Sequence, residues 1–418
     1  MGHLGRSTPW WGRLEVRQEV RLLARRALVG ITCGPLAARN TLANNHKVEE
    51  GRVRRVLVLR PDHLGDLLFA TPALARLREA FPSAHITGAV GPWGRAMWQD
   101  HPALDALEVI PFPGIASRPQ SPLEAYRLLA RTARNISREK YDTGIVLRYD
   151  HWWGAALLWA AGVPNRWGYA TRETGGWLNN RLAYVPGRHE VEQDLRLAEA
   201  MVRAHAETDN ISHARPLRIS RERGVPRPDL PRAVLCENAP PAWLAAPRRA
   251  IIHPGTGAAN KLWTVQGWAA VADSLQAEGW SVILTGAPDE RELAEAIREA
   301  SRSKPPNLAG QTGSLGELVW LLGHARIVLG VDSGPLHMAD AAGRPALHLY
   351  GPSDEKIWGP WGNPDTQRAF RAPGTRPSGV LDVASQALEG GPEMRAITVE
   401  MVLGEISKLT GAASAAPV

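Results

Sequence analysis

The chain has 418 residues, of which 44% are hydrophobic and 22% charged, and its net charge is +7. This composition excludes an intrinsically disordered protein and predicts about two to three packed domains. The positive charge favours an acidic partner, but the arginines are spread widely and a solvated basic surface is the simpler interpretation. Two distant cysteines, Cys33 and Cys236, exclude a disulfide framework and favour a reducing compartment, the cytoplasm.

Residues 1–50 are predicted to form a basic N-terminal extension. Apolar residues from Val16 to Ile31 recur at helical spacing on one face, and arginines occupy most of the rest. Such a helix can lie on an anionic bilayer, which predicts a membrane contact through residues 10–31 and a peripheral position on the inner face of the cell membrane. Packing of the helix on the following domain is the alternative. The sequence shows neither a run of about eighteen apolar residues nor a secretory signal.

Residues 51–220 alternate between strand and helix patterns. Short apolar runs predict strands, and longer stretches between them predict helices. Because polar residues do not alternate within the apolar runs, the strands are expected to form a parallel sheet covered on both faces. The predicted strands are 56–59, 86–90, 107–111 and 144–147, and the predicted helices include 67–80 and 122–138.

A second α/β series is predicted over residues 248–370, after a proline-rich linker at residues 221–247. The predicted fold class is therefore α/β, with two Rossmann-like domains whose parallel sheets face a central cleft. An irregular tail, residues 371–418, ends in a predicted helix over 399–409. The strands of the second series are predicted at 250–253, 281–285, 327–330 and 346–350, and its helices at 266–278, 290–300, 315–324 and 336–342.

A polar turn, residues 60–66 (Arg-Pro-Asp-His-Leu-Gly-Asp), follows the first predicted strand. Asp66 lies directly after a glycine where the turn leads into a helix, and a carboxylate there can take the proton from an attacking hydroxyl. A helix cap is the alternative role for Asp66. His63 is a weaker candidate that orients Asp66, contacts an acceptor or simply faces solvent.

A second turn, residues 253–257 (His-Pro-Gly-Thr-Gly), precedes Lys261. A fixed ammonium group can stabilise negative charge that develops on a phosphate group. Gly255, Thr256 and Gly257 can bring backbone N–H groups and a hydroxyl to the same phosphate. A solvated surface lysine is the alternative interpretation of Lys261.

A third turn, residues 332–337 (Asp-Ser-Gly-Pro-Leu-His), opens a helix whose N-terminus suits a phosphate. Ser333 and Gly334 supply a hydroxyl and open backbone. Asp332 is expected to accept hydrogen bonds from sugar hydroxyls or to orient the lysine of the second turn, and His337 either contacts phosphate or packs under the turn. Glu290, after the second strand of this series, is a candidate for ribose hydroxyls or for a helix cap.

The first α/β series carries arginines next to aromatic residues, a combination that suits an anionic carbohydrate. The tryptophans there are equally expected to seal the core. The candidate acceptor-binding residues are Arg60, His63, Arg148 and Arg172.

The three turns, in this order, resemble the motifs of the heptosyltransferase family, glycosyltransferase family 9. The first is joined by Ala-Thr-Pro-Ala-Leu at 70–74, the second by Lys-Leu-Trp at 261–263 and the third by Gly-Pro-Ser at 351–353. The resemblance implies a GT-B fold with an N-terminal acceptor domain and a C-terminal donor domain. It also implies an inverting, metal-independent mechanism with Asp66 as the base, and a nucleotide-diphospho-sugar donor, which is ADP-heptose in the best-known members.

The expected function is transfer of a sugar, heptose, to a glycan or glycolipid hydroxyl in lipopolysaccharide biosynthesis, without a cofactor. Neither an Asp-x-Asp motif nor a metal-binding spacing of acidic and histidine residues is evident. A sugar-nucleotide 2-epimerase of the same fold and a non-catalytic protein that binds an anionic glycan or lipid are the alternatives. The presence of both Asp66 and Lys261 argues against the second alternative. A nucleic-acid partner is not expected, since charge is the one feature that favours it.

Overall fold

The structure is a computed structural model that describes residues 10–44, 53–114, 123–209, 228–383 and 390–414. Two parallel sheets organise these residues, and helices cover both faces of each sheet. The strands are β1 Arg55–Leu59, β2 His85–Val90, β3 Ala106–Val109, β4 Thr143–Val146, β5 Asn165–Tyr169, β6 Asn180–Leu182, β7 Arg249–His253, β8 Ser281–Leu284, β9 Ile327–Val331, β10 Ala346–Leu349 and β11 Gln367–Phe370.

The helices lie mainly between the strands, as expected for parallel connections. They are α1 Trp10–Asn44, α2 Leu64–Ala80, α3 Arg95–Trp98, α4 Glu124–Arg138, α5 Trp152–Ala160, α6 Glu190–Asp209, α7 Pro241–Ala245, α8 Val265–Ala277, α9 Arg291–Ala300, α10 Leu315–His324, α11 Gly334–Ala341, α12 Glu355–Trp358, α13 Pro392–Arg395 and α14 Val399–Ser414. Short 3-10 helices cover Pro92–Gly94, Ala259–Lys261 and Pro288–Glu290.

The strand order is β3-β2-β1-β4-β5-β6 in the first sheet and β11-β10-β9-β7-β8 in the second. Every pairing is parallel. The first order is that of a Rossmann sheet, and the second is that of the other common doubly wound sheet. The α/β fold class predicted from the sequence is therefore confirmed.

Each sheet contains one point where the strand order reverses, between β1 and β4 in the first sheet and between β7 and β9 in the second. At such a point the loops that leave neighbouring strands turn to opposite faces, and a crevice opens at the carboxyl ends of the strands. The segments that leave these four strands are 60–66, 148–150, 254–264 and 332–334. The three polar turns singled out in the sequence thus lie at these two crevices.

The strands predicted from apolar runs are confirmed to within about two residues. Three strands were not predicted: β5, β6 and β11. Polar residues interrupt β5 and β11, and β6 has three residues, so none of them shows an apolar run. The two sheets occupy residues 55–182 and 249–370 of the chain. The domain boundaries near residues 220 and 248 stay a prediction, since residues 210–227 lie outside the described part of the chain.

Helix α1 packs on α4 and α5, which is the alternative predicted for the N-terminal helix. Val29, Cys33 and Ala37 are buried there, and Asn40 Nδ2 donates a hydrogen bond to the Ala160 carbonyl at 3.0 Å. Gly162 has a φ of +71°, and a Cβ atom at this position would lie 2.6 Å from Asn40. A glycine is therefore required where α5 ends against α1.

The opposite face of α1 remains exposed. Leu28, Ile31 and Leu42 recur at helical spacing on that face, and Ile31 and Leu42 are 75% and 70% exposed. The side chains of residues 10–18 lie outside the described part, so the N-terminal half of the predicted amphipathic pattern is untested. Among the described helices, none is sufficiently long and apolar to cross a membrane.

Candidate active site

A cavity of about 1500 Å³ lies between the two sheets and is lined by segments from both. Its walls include the turns that follow β1, β4, β7, β8 and β9, together with the starts of α6 and α10. The cavity contains every predicted site residue except Arg172: Arg60, His63, Asp66, Arg148, Gly255, Thr256, Gly257, Lys261, Glu290, Asp332, Ser333, Gly334 and His337.

The N-termini of α2 and α11 meet in this cavity through two glycines. A Cβ atom built on Gly334 would lie 3.4 Å from the Gly65 backbone nitrogen, and one built on Gly65 would lie 3.4 Å from the His337 ring. Just beyond this contact, the rings of Phe69 and His337 have centroids 4.6 Å apart. The contact brings Asp66, in the first turn of α2, next to the N-terminus of α11.

Four carboxylates surround the buried guanidinium of Arg60 on the acceptor side of the cavity. The ion-pair distances are 2.8 Å to Asp62, 2.8 Å to Asp194, 3.1 Å to Glu190 and 3.7 Å to Asp66. We call these five residues the Arg60 cluster. A single guanidinium does not neutralise four carboxylates, so the cluster favours protonation of at least one of them.

Asp66 lines the cavity and is the most exposed member of the Arg60 cluster, with 25% of its side chain exposed. Burial and the negative charge of Asp62 raise the pKa of Asp66, the Arg60 guanidinium partly offsets them, and the result is a pKa of about 7. A base is most effective when its pKa lies near the operating pH. The N-cap of α2 is His63 rather than Asp66, and the His63 side chain makes no cap hydrogen bond.

The geometry does not favour the predicted acceptor-binding role of Arg60, because its side chain is 2% exposed and fully engaged by carboxylates. Arg148 pairs with Asp62 and Asp150, but 32% of its side chain is exposed, so part of it is accessible to a ligand. The structure does not bring Arg172 into the cavity. Its guanidinium lies 3.3 Å from Glu19 of α1.

Two residues of the Arg60 cluster, Glu190 and Asp194, were missed by sequence reasoning. They lie on α6, about 130 positions after Arg60. A carboxylate pair in the first turns of a helix is usually a capping or solvated feature. No sequence pattern therefore predicted that these two carboxylates would pack beneath the turn at residues 60–66.

The donor side of the cavity is organised by the carboxylate of Asp332. Lys261 Nζ donates to it at 2.9 Å and Ser353 Oγ at 2.6 Å, while Thr256 Oγ1 donates to the Asp332 carbonyl at 3.0 Å. Although burial opposes ionisation, Lys261 and His337 hold the pKa of Asp332 well below its usual range. Lys261 is thus fixed in the cavity by one ion pair, and its ammonium group has further donors to offer a ligand.

The N-terminus of α11 presents an anion site to the same space. Ser333 occupies the N-cap position without making a cap hydrogen bond, and its hydroxyl has no hydrogen-bond partner among the described residues. Gly257 also lines the cavity, and a Cβ atom there would meet nothing within 4 Å. Backbone N–H groups and a free hydroxyl at a helix N-terminus are suited to a phosphate.

Of the two roles predicted for Glu290, the structure shows the capping contact. Its carboxylate accepts a hydrogen bond from the Ala287 backbone nitrogen at 2.7 Å, which is a capping contact, yet it also lines the cavity. A Cβ atom on Gly255 would lie 2.0 Å from the Glu290 carboxyl carbon. Gly255 is therefore needed for Glu290 to lie against the second turn, whatever ligand binds there.

One trio of potential metal-binding side chains occurs among the described residues, His337, Asp340 and His348, whose ligand-type atoms lie within 4.8 Å of one another. His348 Nε2 is already 3.0 Å from the Asp340 carboxylate, a hydrogen-bond distance. The predicted absence of a metal stays a prediction.

The burial of Arg60 predicts a structural effect. Replacement by Met should leave the carboxylates of the Arg60 cluster without their cation and lower the free energy of unfolding by about 3–5 kcal/mol. Arg302 is the matched control, because its pair with Asp273 is on the surface and its side chain is 93% exposed, so Arg302→Met should cost about 0–1 kcal/mol. Urea unfolding measures both. Unchanged stability of Arg60→Met with weakened acceptor binding would restore the predicted acceptor-binding role.

Comparison with known proteins identifies the family. The model of glycosyltransferase family 9 (heptosyltransferase) matches residues 129–375. Lipopolysaccharide heptosyltransferase 3 of Escherichia coli is 27% identical over 316 residues, covering 72% of this chain and 84% of the relative. Lipopolysaccharide core heptosyltransferase OpsX of Haemophilus influenzae is 34% identical over 167 residues, covering 38% and 47%.

Solved structures share the fold. The E. coli ADP-heptose lipopolysaccharide heptosyltransferase II superimposes with a TM-score of 0.64 at 21% identity, covering 86% of this chain and all (100%) of that one. E. coli heptosyltransferase WaaC with ADP gives a TM-score of 0.59 at 20% identity, covering 85% and 99%. Together with the paired crevices and the family match, these similarities show that the chain belongs to glycosyltransferase family 9, the heptosyltransferases, and is a glycosyltransferase of the GT-B fold.

Proposed function

We propose that this protein is an inverting, metal-independent glycosyltransferase that moves heptose from ADP-heptose to a hydroxyl of a lipopolysaccharide glycolipid. One observation carries the proposal: the carboxylate of Asp66 and the cationic groups around Asp332 line opposite walls of one cavity. The relatives named above are lipopolysaccharide heptosyltransferases, which supports the choice of donor and acceptor.

The proposed reaction is a single displacement. The acceptor hydroxyl attacks the anomeric carbon while its proton passes to Asp66, and the bond from that carbon to the phosphate oxygen breaks with its electron pair. The diphosphate leaves on the face opposite to the attack, so one displacement inverts the configuration. A base on one wall and cations on the other match this requirement.

The donor is proposed to bind through the second sheet. Lys261, His337 and the N-terminus of α11, with the Ser333 hydroxyl, would hold the diphosphate, and Glu290 would accept from the ribose hydroxyls. Two side-chain cations and a helix N-terminus supply the positive charge that a leaving diphosphate needs, which supports a mechanism without a metal.

The acceptor is proposed to bind along the first sheet, where His63, Arg148 and Tyr149 line the cavity. Tyr149 stacks on Tyr184 with ring centroids 4.3 Å apart, and the Tyr184 hydroxyl donates to Glu190 at 3.1 Å. An aromatic face beside a partly exposed arginine suits an anionic sugar. No observation favours the epimerase or the non-catalytic alternative over this function.

We further propose that the exposed face of α1 contacts an anionic membrane surface, where a glycolipid acceptor would reside. Leu28, Ile31 and Leu42 form an apolar row, and Arg21 and Arg39, both exposed, lie beside it. Apolar residues flanked by arginines are the pattern of a helix that lies in the lipid interface. The predicted cytoplasmic location, at the inner face, is retained as part of this proposal.

The role of Asp66 as the base predicts a pH-dependent rate. Asp66→Asn should lower kcat by about 10²–10⁴-fold while ADP still binds. In the wild type, activity should fall as the pH drops below about 7, because the carboxylate then becomes protonated. The negative charge of Glu190 helps to raise this pKa, so Glu190→Gln should move the acid limb of the kcat profile to lower pH. An acid limb that does not move would argue against Asp66 as the titrating group.

The donor site predicts selective binding of ADP. Calorimetric titration with ADP, UDP and GDP in the presence of EDTA should give binding of ADP alone, and Lys261→Ala should weaken it at least about tenfold because a charge-assisted hydrogen bond contributes roughly 1.5–3 kcal/mol. Lys356→Ala, at another lysine of the same unit, is the control and should bind normally. Preference for UDP or GDP would contradict ADP-heptose as the donor, and a requirement for metal would contradict the metal-independent mechanism.

The membrane contact predicts binding to anionic vesicles. Ile31→Glu/Leu42→Glu should reduce co-sedimentation with phosphatidylglycerol vesicles, since both substitutions place negative charge on the apolar row. Val234→Glu/Leu235→Glu changes two exposed apolar residues near α10 instead and should leave co-sedimentation unchanged. Equal binding of the wild type and the α1 variant would refute the membrane contact.

A further inference from the structure

A chain of buried charged groups continues from the donor site into the second unit, away from the cavity. His337 Nε2 lies 3.5 Å from Asp332, and its other ring nitrogen, Nδ1, lies 3.6 Å from Asp340. His348 Nε2 then contacts the Asp340 carboxylate at 3.0 Å. Asp340 and His348 are 3% and 0% exposed and do not line the cavity, so neither can touch a substrate.

We propose that Asp340 and His348 are positioning residues that hold the His337 ring as an imidazolium beside the donor diphosphate. The proposal rests on the proposed function, because it takes His337 to contact the donor. It adds two residues that lie outside the cavity and that none of the three sequence motifs singles out for a role.

The geometry around His337 favours the cationic ring. A neutral imidazole has one nitrogen that can only accept, and that nitrogen would face a carboxylate oxygen, which also only accepts. At 3.5 Å and 3.6 Å these are ion-pair distances, and a carboxylate beside each nitrogen favours the ring that carries a proton on both nitrogens. Burial lowers the pKa of His337, but Asp332 and Asp340 outweigh it and raise the pKa to about 9.

Asp340 is needed as a second counter-ion for His337 because Asp332 also pairs with other residues. The Asp332 carboxylate also accepts from Lys261 and Ser353, so it is only partly available to the imidazolium. Asp340 has no such competitor on the cavity side. His348 holds the Asp340 carboxylate from behind, and burial is outweighed by its two histidine neighbours, which lower the pKa of Asp340.

The other groups packed against His337 do not replace this pair. Phe69 of α2 covers one face of the ring and separates it from His189. Lys261 lies beyond Asp332, and Asp66 lies across the Gly65 contact. The charged and titratable groups that face the ring are therefore Asp332, Asp340 and His348, and Asp340 is the one whose removal isolates the effect.

The test is the titration of His337 in Asp340→Asn. In protein with ¹⁵N-labelled histidine, the His337 ring nitrogens of the wild type should remain protonated up to a pH of about 9. The substitution removes an opposite charge, so the midpoint should fall by about 1 to 3 pH units. The affinity for ADP should decrease across the same pH range in each protein, because the imidazolium is lost as the pH rises through its pKa. The alkaline loss of ADP affinity should therefore begin at lower pH in the variant.

His348 provides a second pair of variants in case Asp340→Asn folds poorly. His348→Gln keeps a donor for the Asp340 carboxylate and should preserve the His337 titration. His348→Leu removes that donor and should lower the midpoint in the same direction as Asp340→Asn. A merely structural role would change stability or ADP affinity equally at every pH and leave the titration midpoint in place.

Three results would overturn the proposal. The first is an unchanged His337 midpoint in Asp340→Asn and His348→Leu. The second is a stoichiometric transition metal in the purified wild type that Asp340→Asn loses. The third is a shifted midpoint with ADP affinity independent of pH, which would remove His337 from the donor site. Loss of ADP binding in Lys261→Ala would still support the proposed function in that case, so the two failures are distinguishable.

Discussion

The contact between Gly65 and Gly334 is the constraint on which the geometry of the active site depends. Each glycine lies in the first turn of a helix, α2 or α11, and a Cβ atom on either one would lie in van der Waals contact, at 3.4 Å, with the opposite backbone or the His337 ring. Asp66 follows Gly65 directly, and the N–H groups of α11 begin at Gly334. The close approach of these two backbones thus places the Asp66 backbone beside the phosphate site.

The two sheets supply different groups to the walls of the cavity. The first sheet carries the Arg60 cluster, in which excess carboxylates raise the pKa of Asp66. The second carries Lys261 and His337, which share Asp332 as counter-ion. A proton acceptor on one wall and an anion site on the other is what a single displacement at a sugar carbon requires. Because Arg60, Asp332 and His337 are buried, their charges are screened less than they would be in water.

Much of this arrangement was predictable because parallel strands align their carboxyl ends. Polar turns after the apolar strands β1, β7 and β9 were expected at the carboxyl ends of the parallel strands, and the three motifs lie there. The burial of individual side chains could not be predicted from the strand pattern. Arg60 belongs to a motif and still lies beneath the cavity, since carboxylates of α6 fold under it, and Arg172 pairs with α1. Pairings between such distant positions have no local pattern.

The partners of Arg60 also impose an order on the assembly of the first sheet. Until α6 has been synthesised and docked on α2, the buried guanidinium lacks Glu190 and Asp194. Arg76 of α2 pairs with Glu199 of α6 at 2.8 Å, so it too lacks this partner until α6 has docked. A nascent chain that ends after β5 contains five of the six strands of the first sheet. It nevertheless retains two arginines that it cannot bury at low cost. The N-terminal half is expected to become a cooperative unit only when α6 leaves the ribosome.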